Sequence, residues 1–138
     1  MESLMGINYW AIGVSVVLFQ MLGALWWSPL LFGKAWMRAL GLTKNDIETP
    51  EINMNQAYGV SFAVTVVSAF GLAILFAQLQ IDQLLQGAIA GWLIWLAFNM
   101  TSRVKARMFD ETPWTVVLIT DGYEMVGYVL MGAIIGAW

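Results

Sequence analysis

The strongest constraint on this chain is a set of four apolar stretches, each long enough to cross a lipid bilayer as a helix. They cover about residues 7–27, 57–79, 84–101 and 114–138, and roughly 20 helical residues span the roughly 30 Å of hydrocarbon. Because 60% of the 138 residues are hydrophobic and only 11% are charged, a water-soluble fold would lack polar surface. The sequence predicts an all-α integral membrane protein, a single domain built as a four-helix bundle.

The basic residues predict how the bundle is oriented. All six Lys and Arg residues lie in two connections, 28–56 and 102–113, whereas the turn at 80–83 and both tails have none. Cytoplasmic loops carry the excess of Lys and Arg. Both connections are therefore expected in the cytoplasm, and both termini on the non-cytoplasmic side. The turn at 80–83 is so short that the second and third spans are expected to be antiparallel neighbours.

A short amphipathic helix is predicted between the first two spans. Within residues 30–40, Trp36 lies with other apolar residues on one face, and Lys34 and Arg38 lie on the other. This pattern is typical of a helix that lies in the membrane interface. Gly41 follows as a suitable C-terminal cap.

Two carboxylates in the last span are the main candidates for function. Asp121 and Glu124 are three residues apart and share a helical face. An ionised carboxylate costs at least about 2.5 kcal/mol at the membrane centre, so both should be protonated, paired or turned inward. Gln20 and Asn99 lie at a similar depth, and Arg103 can extend towards Asp121. These five residues form the predicted intramembrane polar cluster.

Three interpretations of the polar cluster are open. It ties the helices together through interhelical hydrogen bonds, it carries protons or cations as intramembrane carboxylates often do, or it contacts a partner. The second span contributes only hydroxyl groups at this depth, from Ser61, Thr65 and Ser68.

Small residues predict where helices approach closely. Two GxxxG patterns occur, Gly87 with Gly91 in the third span and Gly132 with Gly136 in the fourth. They either pack against each other within one subunit, or one of them serves dimerisation.

Several classes of function are disfavoured by what the sequence lacks. It has no Cys and no His, which removes thiolate catalysis, cysteine metal sites, and the commonest general base and metal ligand. A net charge of −3 argues against nucleic acid. We expect no enzyme activity, no metal and no cofactor. Trp92 and Trp95, in the middle of the third span, are expected to pack or face lipid, with a wall for a bound pigment as the alternative.

Two stretches resemble a family of small bacterial membrane proteins. Residues 23–37, GALWWSPLLFGKAWM, with GLT at 41–43, are similar to the start of proteins classed as domain of unknown function 1761. Gly122 and Tyr123, with residues 130–138, resemble their final helix. The resemblance implies a four-span membrane protein and brings no established activity. A multi-pass location in a bacterial inner membrane is expected.

Two functions are predicted, and the sequence favours the first. The first is a non-enzymatic structural or accessory protein that assembles with itself or with a larger membrane complex through small-residue helix faces and tryptophan-rich flanks. The second is a small oligomeric proton- or cation-coupled transporter or channel that uses Asp121 and Glu124.

Overall fold

A computed structural model describes residues 6–41 and 53–138. In these parts the chain forms four long apolar helices and one short helix. In chain order these helices are α1 Tyr9–Trp26, α2 Gly33–Leu40, α3 Met54–Leu79, α4 Leu84–Asp110 and α5 Trp114–Ala137. All except α2 are long and apolar enough to cross a membrane. The predicted all-α fold with four spans, and with a short helix between the first two, is confirmed. Lys44 lies outside the described residues.

Polar side chains and left-handed residues set the helix ends. The Asn8 side chain accepts the backbone N–H groups of Trp10 at 3.0 Å and Ala11 at 3.2 Å, which satisfies two donors that the first turn of α1 leaves free. Gly41 ends α2 with φ +69°, a conformation that favours glycine. The predicted C-terminal cap is confirmed.

Helix α4 is longer than predicted and changes its winding on the way. The third span was expected to end at residue 101, but the helix continues to Asp110, because the residues that follow are charged yet form helices well. Within it, Trp95–Met100 is wound as a π-helix. A π segment accommodates an extra residue per turn, so it rotates the second half of α4 relative to the first.

Helix α5 lies at the centre of the packing. It makes its closest approach to α4, packs next on α1, and α1 in turn packs on α3. Helices α3 and α4 contact each other little, so the prediction that they are direct neighbours is wrong. A turn of four residues makes the next helix antiparallel to the previous one. Which helix it packs against depends on the contacts between helix faces, and for α4 these are with α5.

Glycines bring the backbones of α4 and α5 into contact. A Cβ atom on Gly87 would collide with the carbonyl oxygen of Gly132, and one on Gly132 would collide with that of Gly87. A Cβ atom on Gly91 would collide with the carbonyl oxygen of Tyr128, and one on Gly136 would lie 3.0 Å from the Gly87 Cα. The two GxxxG motifs therefore pack against each other within one subunit.

The apolar core occupies the half of the bundle that lies away from the basic residues. It consists of buried side chains of α1, α3 and α5: Ile12, Val16, Phe19, Ala69, Leu72, Ala73, Phe76 and Met131. The Phe19 ring lies where a side chain at Gly127 would be, so this glycine lets α1 approach α5. The polar residues lie in the other half of the bundle.

The glycine contact predicts an asymmetric effect of two identical substitutions. Gly132→Ala forces α4 away from α5 and should cost about 1–3 kcal/mol of unfolding free energy, the usual cost of overpacking. Gly71→Ala is the matched control, since a Cβ atom at Gly71 would meet nothing within 4 Å; it should be neutral or stabilising by up to about 1 kcal/mol. Unfolding in detergent micelles, followed by circular dichroism, measures both. Equal stability of the two variants would contradict the close contact.

Candidate functional site

The two carboxylates of α5 face different parts of the bundle. Asp121 faces α4, where it meets Arg103, whereas Glu124 lines a cavity that is bordered by α1 and α3. The five residues of the predicted polar cluster lie in the same half of the bundle, but they divide into two groups. One group lies between α5 and α4, and the other lies between α5, α1 and α3.

Asp121 and Arg103 form the first group. The Arg103 Nε lies 3.7 Å from the Asp121 Oδ1, a separation that is too long for a hydrogen bond and leaves an electrostatic contact. Asp121 is only 5% exposed, and its Oδ1 is buried without a hydrogen-bond partner. The Arg103 side chain is 43% exposed. The pair therefore has a buried anionic end and an accessible cationic end.

A pocket lies next to Arg103, whose side chain is partly exposed there. This pocket, called the α4 pocket below, has a volume of about 420 Å³. Its lining consists of α4 side chains and one tyrosine of α5: Ile94, Phe98, Asn99, Ser102, Arg103, Ala106 and Tyr128. Asn99 and Arg103, both members of the predicted polar cluster, thus line the same pocket.

Glu124 belongs to the second group. It lines a cavity of about 100 Å³, called the Glu124 cavity below. The remaining lining is contributed by α1, α3 and α5: Phe19, Ser61, Val64, Thr65, Ser68, Tyr123, Tyr128 and Met131. A polar cavity of this size has room for water. Tyr128 lines both the Glu124 cavity and the α4 pocket, so the two spaces adjoin the same residue of α5.

Gln20 ties α1 to α3 on the Glu124 side. Its Nε2 donates to the Thr65 Oγ1 at 2.9 Å, and the Thr65 hydroxyl donates to the carbonyl oxygen of Ser61 at 2.8 Å. Thr65 is buried, so this chain satisfies polar groups that would otherwise be costly inside the bundle. Gln20 therefore has a structural partner, and it does not reach the Asp121 pair.

Aromatic residues close the bundle at its basic end. The Trp26 indole N–H donates to the carbonyl oxygen of Ile119 at 3.0 Å. The Trp36 ring of α2 packs edge-on against Trp27 at 5.3 Å, while Lys34 and Arg38 are exposed. Helix α2 is thus attached to the end of α1 by its aromatic face, and its basic face is left free to meet headgroups or solvent.

Trp92 and Trp95 differ in their surroundings. Trp92 is 40% exposed on the outside of α4, which fits contact with lipid. The indole N–H of Trp95, at the start of the π segment, is buried without a hydrogen-bond partner. A role in binding a pigment stays a prediction for both.

Two site residues are not members of the predicted cluster. Tyr128 lies one turn after Glu124 on the same helical face, and this spacing is the one sequence signal that indicates it. Tyr123 packs edge-on against Phe19 at 4.9 Å, and its hydroxyl approaches the carbonyl oxygen of Phe19 at 3.4 Å. The sequence indicates Tyr123 only through the family resemblance, which assigns it no role.

The ion pair predicts a specific pattern of stability. Arg103→Gln leaves the buried Asp121 without a cation and should lower the unfolding free energy by at least about 1 kcal/mol. Lys105→Gln, an exposed cation on the same helix, is the control and should stay within about 0.5 kcal/mol of wild type. Adding Asp121→Asn to Arg103→Gln should recover most of the loss. Unfolding in micelles measures all three, and an unaltered Arg103→Gln variant would show that the pair contributes nothing.

Comparison with known proteins gives one match. No curated protein and no solved structure matches the sequence. A family model described as "Protein of unknown function (DUF1761)" matches residues 10–136. The match runs from the first turn of α1 to the last turn of α5, and it includes the Glu124 cavity, the α4 pocket and the Arg103–Asp121 pair. The resemblance seen in the sequence is confirmed, and the chain belongs to the DUF1761 family.

Proposed function

We propose that this membrane protein carries protons or cations, and that Glu124 is the group that takes them up. The observation on which the proposal rests is the Glu124 cavity, where a carboxylate and the hydroxyl groups of Ser61, Thr65 and Ser68 line one space inside the bundle. Ionisable residues at this depth that face the interior of a bundle are usual elements of ion and proton pathways.

The chemistry of the cavity suits a proton or a cation. Its polar groups are carboxylate and hydroxyl oxygens, which are the ligands that hard cations prefer. An ionised carboxylate is costly in the membrane, so protonation or cation binding removes most of this cost. The cavity therefore favours an occupied Glu124 over an empty one.

Charge compensation distinguishes Glu124 from Asp121. Asp121 has Arg103 beside it. In the part of the chain that the structure describes, no Lys or Arg forms a salt bridge with Glu124. Arg103 also attracts Glu124 electrostatically without pairing with it, so of the two carboxylates Glu124 is the one with the weaker compensation, and a mobile ion can supply the rest.

Assembly with a second copy or with a larger complex is the other function expected from the sequence. One observation supports it, since α4 is the least buried of the four spans and offers a surface to a partner. The GxxxG motifs, however, are occupied by each other within the subunit. The small-residue faces, one of the two features on which the assembly hypothesis depended, are thus already used within the subunit, and we place ion transport first because of the Glu124 cavity. Absence of enzyme activity stays a prediction.

Transport predicts that flux depends on a single carboxylate. In proteoliposomes that contain a pH-sensitive dye, or in a parallel set a dye sensitive to the cation used, an imposed pH or cation gradient should drive flux through the wild-type protein. Glu124→Gln removes the titratable group while it keeps the size of the side chain, and it should reduce flux to the level of empty liposomes.

Glu111→Gln is the control, because Glu111 lies in the exposed connection between α4 and α5; this variant should keep the wild-type flux. Wild-type flux equal to that of empty liposomes, under both gradients, would rule out the transport proposal.

The orientation of the bundle is a proposal as well. The described basic residues lie in α2 and near the end of α4, and Arg107 sits 4.7 Å from the centre of the Trp114 ring at the start of α5. We place this end in the cytoplasm of a bacterium, with the chain in the inner membrane.

Single cysteines test this orientation, because the chain has none of its own. Ala35→Cys in α2 and Gln83→Cys in the turn between α3 and α4 both lie at exposed positions and leave every charge unchanged. A membrane-impermeant maleimide should label Gln83→Cys in spheroplasts and Ala35→Cys only in inverted vesicles. The reverse labelling pattern would show the opposite orientation.

A further inference from the structure

We propose that the α4 pocket holds the headgroup of an anionic phospholipid from the surrounding bilayer, with Arg103 as its main anchor. This inference goes beyond ion transport and does not depend on it. Its basis is the position, opening and polar lining of the pocket.

The pocket opens sideways towards the membrane. Three of its side chains, Phe98, Ser102 and Ala106, are exposed, and Phe98 is 73% exposed. Helix α3 contacts α4 little, so it does not cover this side. A lipid can enter a pocket that opens towards the bilayer. Because the pocket is lined by polar groups, the part of the lipid that it binds is the polar headgroup.

The depth of Arg103 matches the level of lipid phosphates. At about 1.5 Å per residue, Arg103 lies roughly 28 Å along α4 from Leu84, and the hydrocarbon layer is roughly 30 Å thick. The guanidinium group is therefore near the boundary between acyl chains and headgroups. Ile94 and Phe98 precede Arg103 in α4 and so lie deeper, where they can contact an acyl chain.

Arg103 keeps hydrogen-bond donors for a second anion. Its Nε faces Asp121 without forming a hydrogen bond, and its side chain is 43% exposed. A guanidinium group presents five N–H donors in a planar fork that matches the oxygens of a phosphate. The Asn99 amide and the Ser102 hydroxyl line the same pocket and add further donors of the kind that phosphate oxygens accept.

The lining of the α4 pocket favours an anionic lipid over a zwitterionic one, because Arg103 is the one charged residue among the described residues that line it. Farther along α4 the charges are mixed, since Asp110 attracts Arg103 and Arg107, while basic residues close to a membrane surface attract anionic lipids in general. The pocket adds to this general attraction a site of about 420 Å³, which is within the usual size range of small-ligand pockets. A bound lipid would cover the polar groups of α4 that the protein leaves open.

Native mass spectrometry tests the proposal on the whole protein released from mixed micelles. The wild type, supplied with phosphatidylglycerol, should retain one lipid, and with phosphatidylcholine it should retain at least ten-fold less. Ala106→Phe occupies space in the pocket and keeps both charges of the Arg103–Asp121 pair, and it should reduce retention of phosphatidylglycerol at least ten-fold. Arg103→Gln should do the same. Lys105→Gln, whose side chain is exposed outside the pocket, is the matched control and should retain the wild-type amount.

Three results would overturn the proposal. Equal retention by Ala106→Phe and the wild type would show that lipid binds elsewhere. An equal loss in Lys105→Gln would show a diffuse electrostatic attraction. Equal retention of the two lipids would show that the headgroup charge is not recognised. Circular dichroism checks the fold of each variant, and Ala106→Phe carries the test if Arg103→Gln is unstable.

Discussion

The close contact between the backbones of α4 and α5 is the constraint on which the rest of the structure depends. Gly87 and Gly132 face each other with no room for a side chain on either, and membrane helices associate mainly through such packing, since lipid provides no hydrophobic drive between them. This contact holds α4 on one side of α5, while α1 and α3 pack on the other. The α4 pocket therefore lies between α4 and α5, the Glu124 cavity lies between α5, α1 and α3, and Tyr128 lines both.

Helix α5 can serve three neighbours because its faces differ in size and polarity. Its Gly132 and Gly136 admit α4, and its Gly127 admits the ring of Phe19 from α1. Asp121 and Glu124 occupy the part of the helix that lies nearer the basic end. Since a carboxylate cannot be turned towards acyl chains without cost, the central position of α5 is what allows one helix to carry both.

The sequence predicts the spans better than the site. Hydrophobic length and the sparse charges suffice for four membrane helices, and Gly41 suffices for the end of α2. Lateral packing was not predictable in the same way, because the turn at 80–83 fixes only direction. The cluster of five residues was inferred from depth along each helix, and depth does not specify which way a side chain points. The π segment at Trp95–Met100, which no sequence pattern indicated, alters that direction for Arg103.

The residues of the polar cluster, which the sequence does not distinguish, have different roles in the structure. Gln20 is engaged with Thr65 and holds two helices together, as the structural interpretation expected. Arg103 compensates Asp121 at the membrane boundary, where its charge can also reach headgroups. These two pairs leave Glu124 as the carboxylate that faces a cavity without a salt bridge in the described part of the chain. Because Asp121 and Glu124 are within one turn of the same helix, a change in the charge of one alters the field at the other, so the Arg103–Asp121 pair and Glu124 are electrostatically linked.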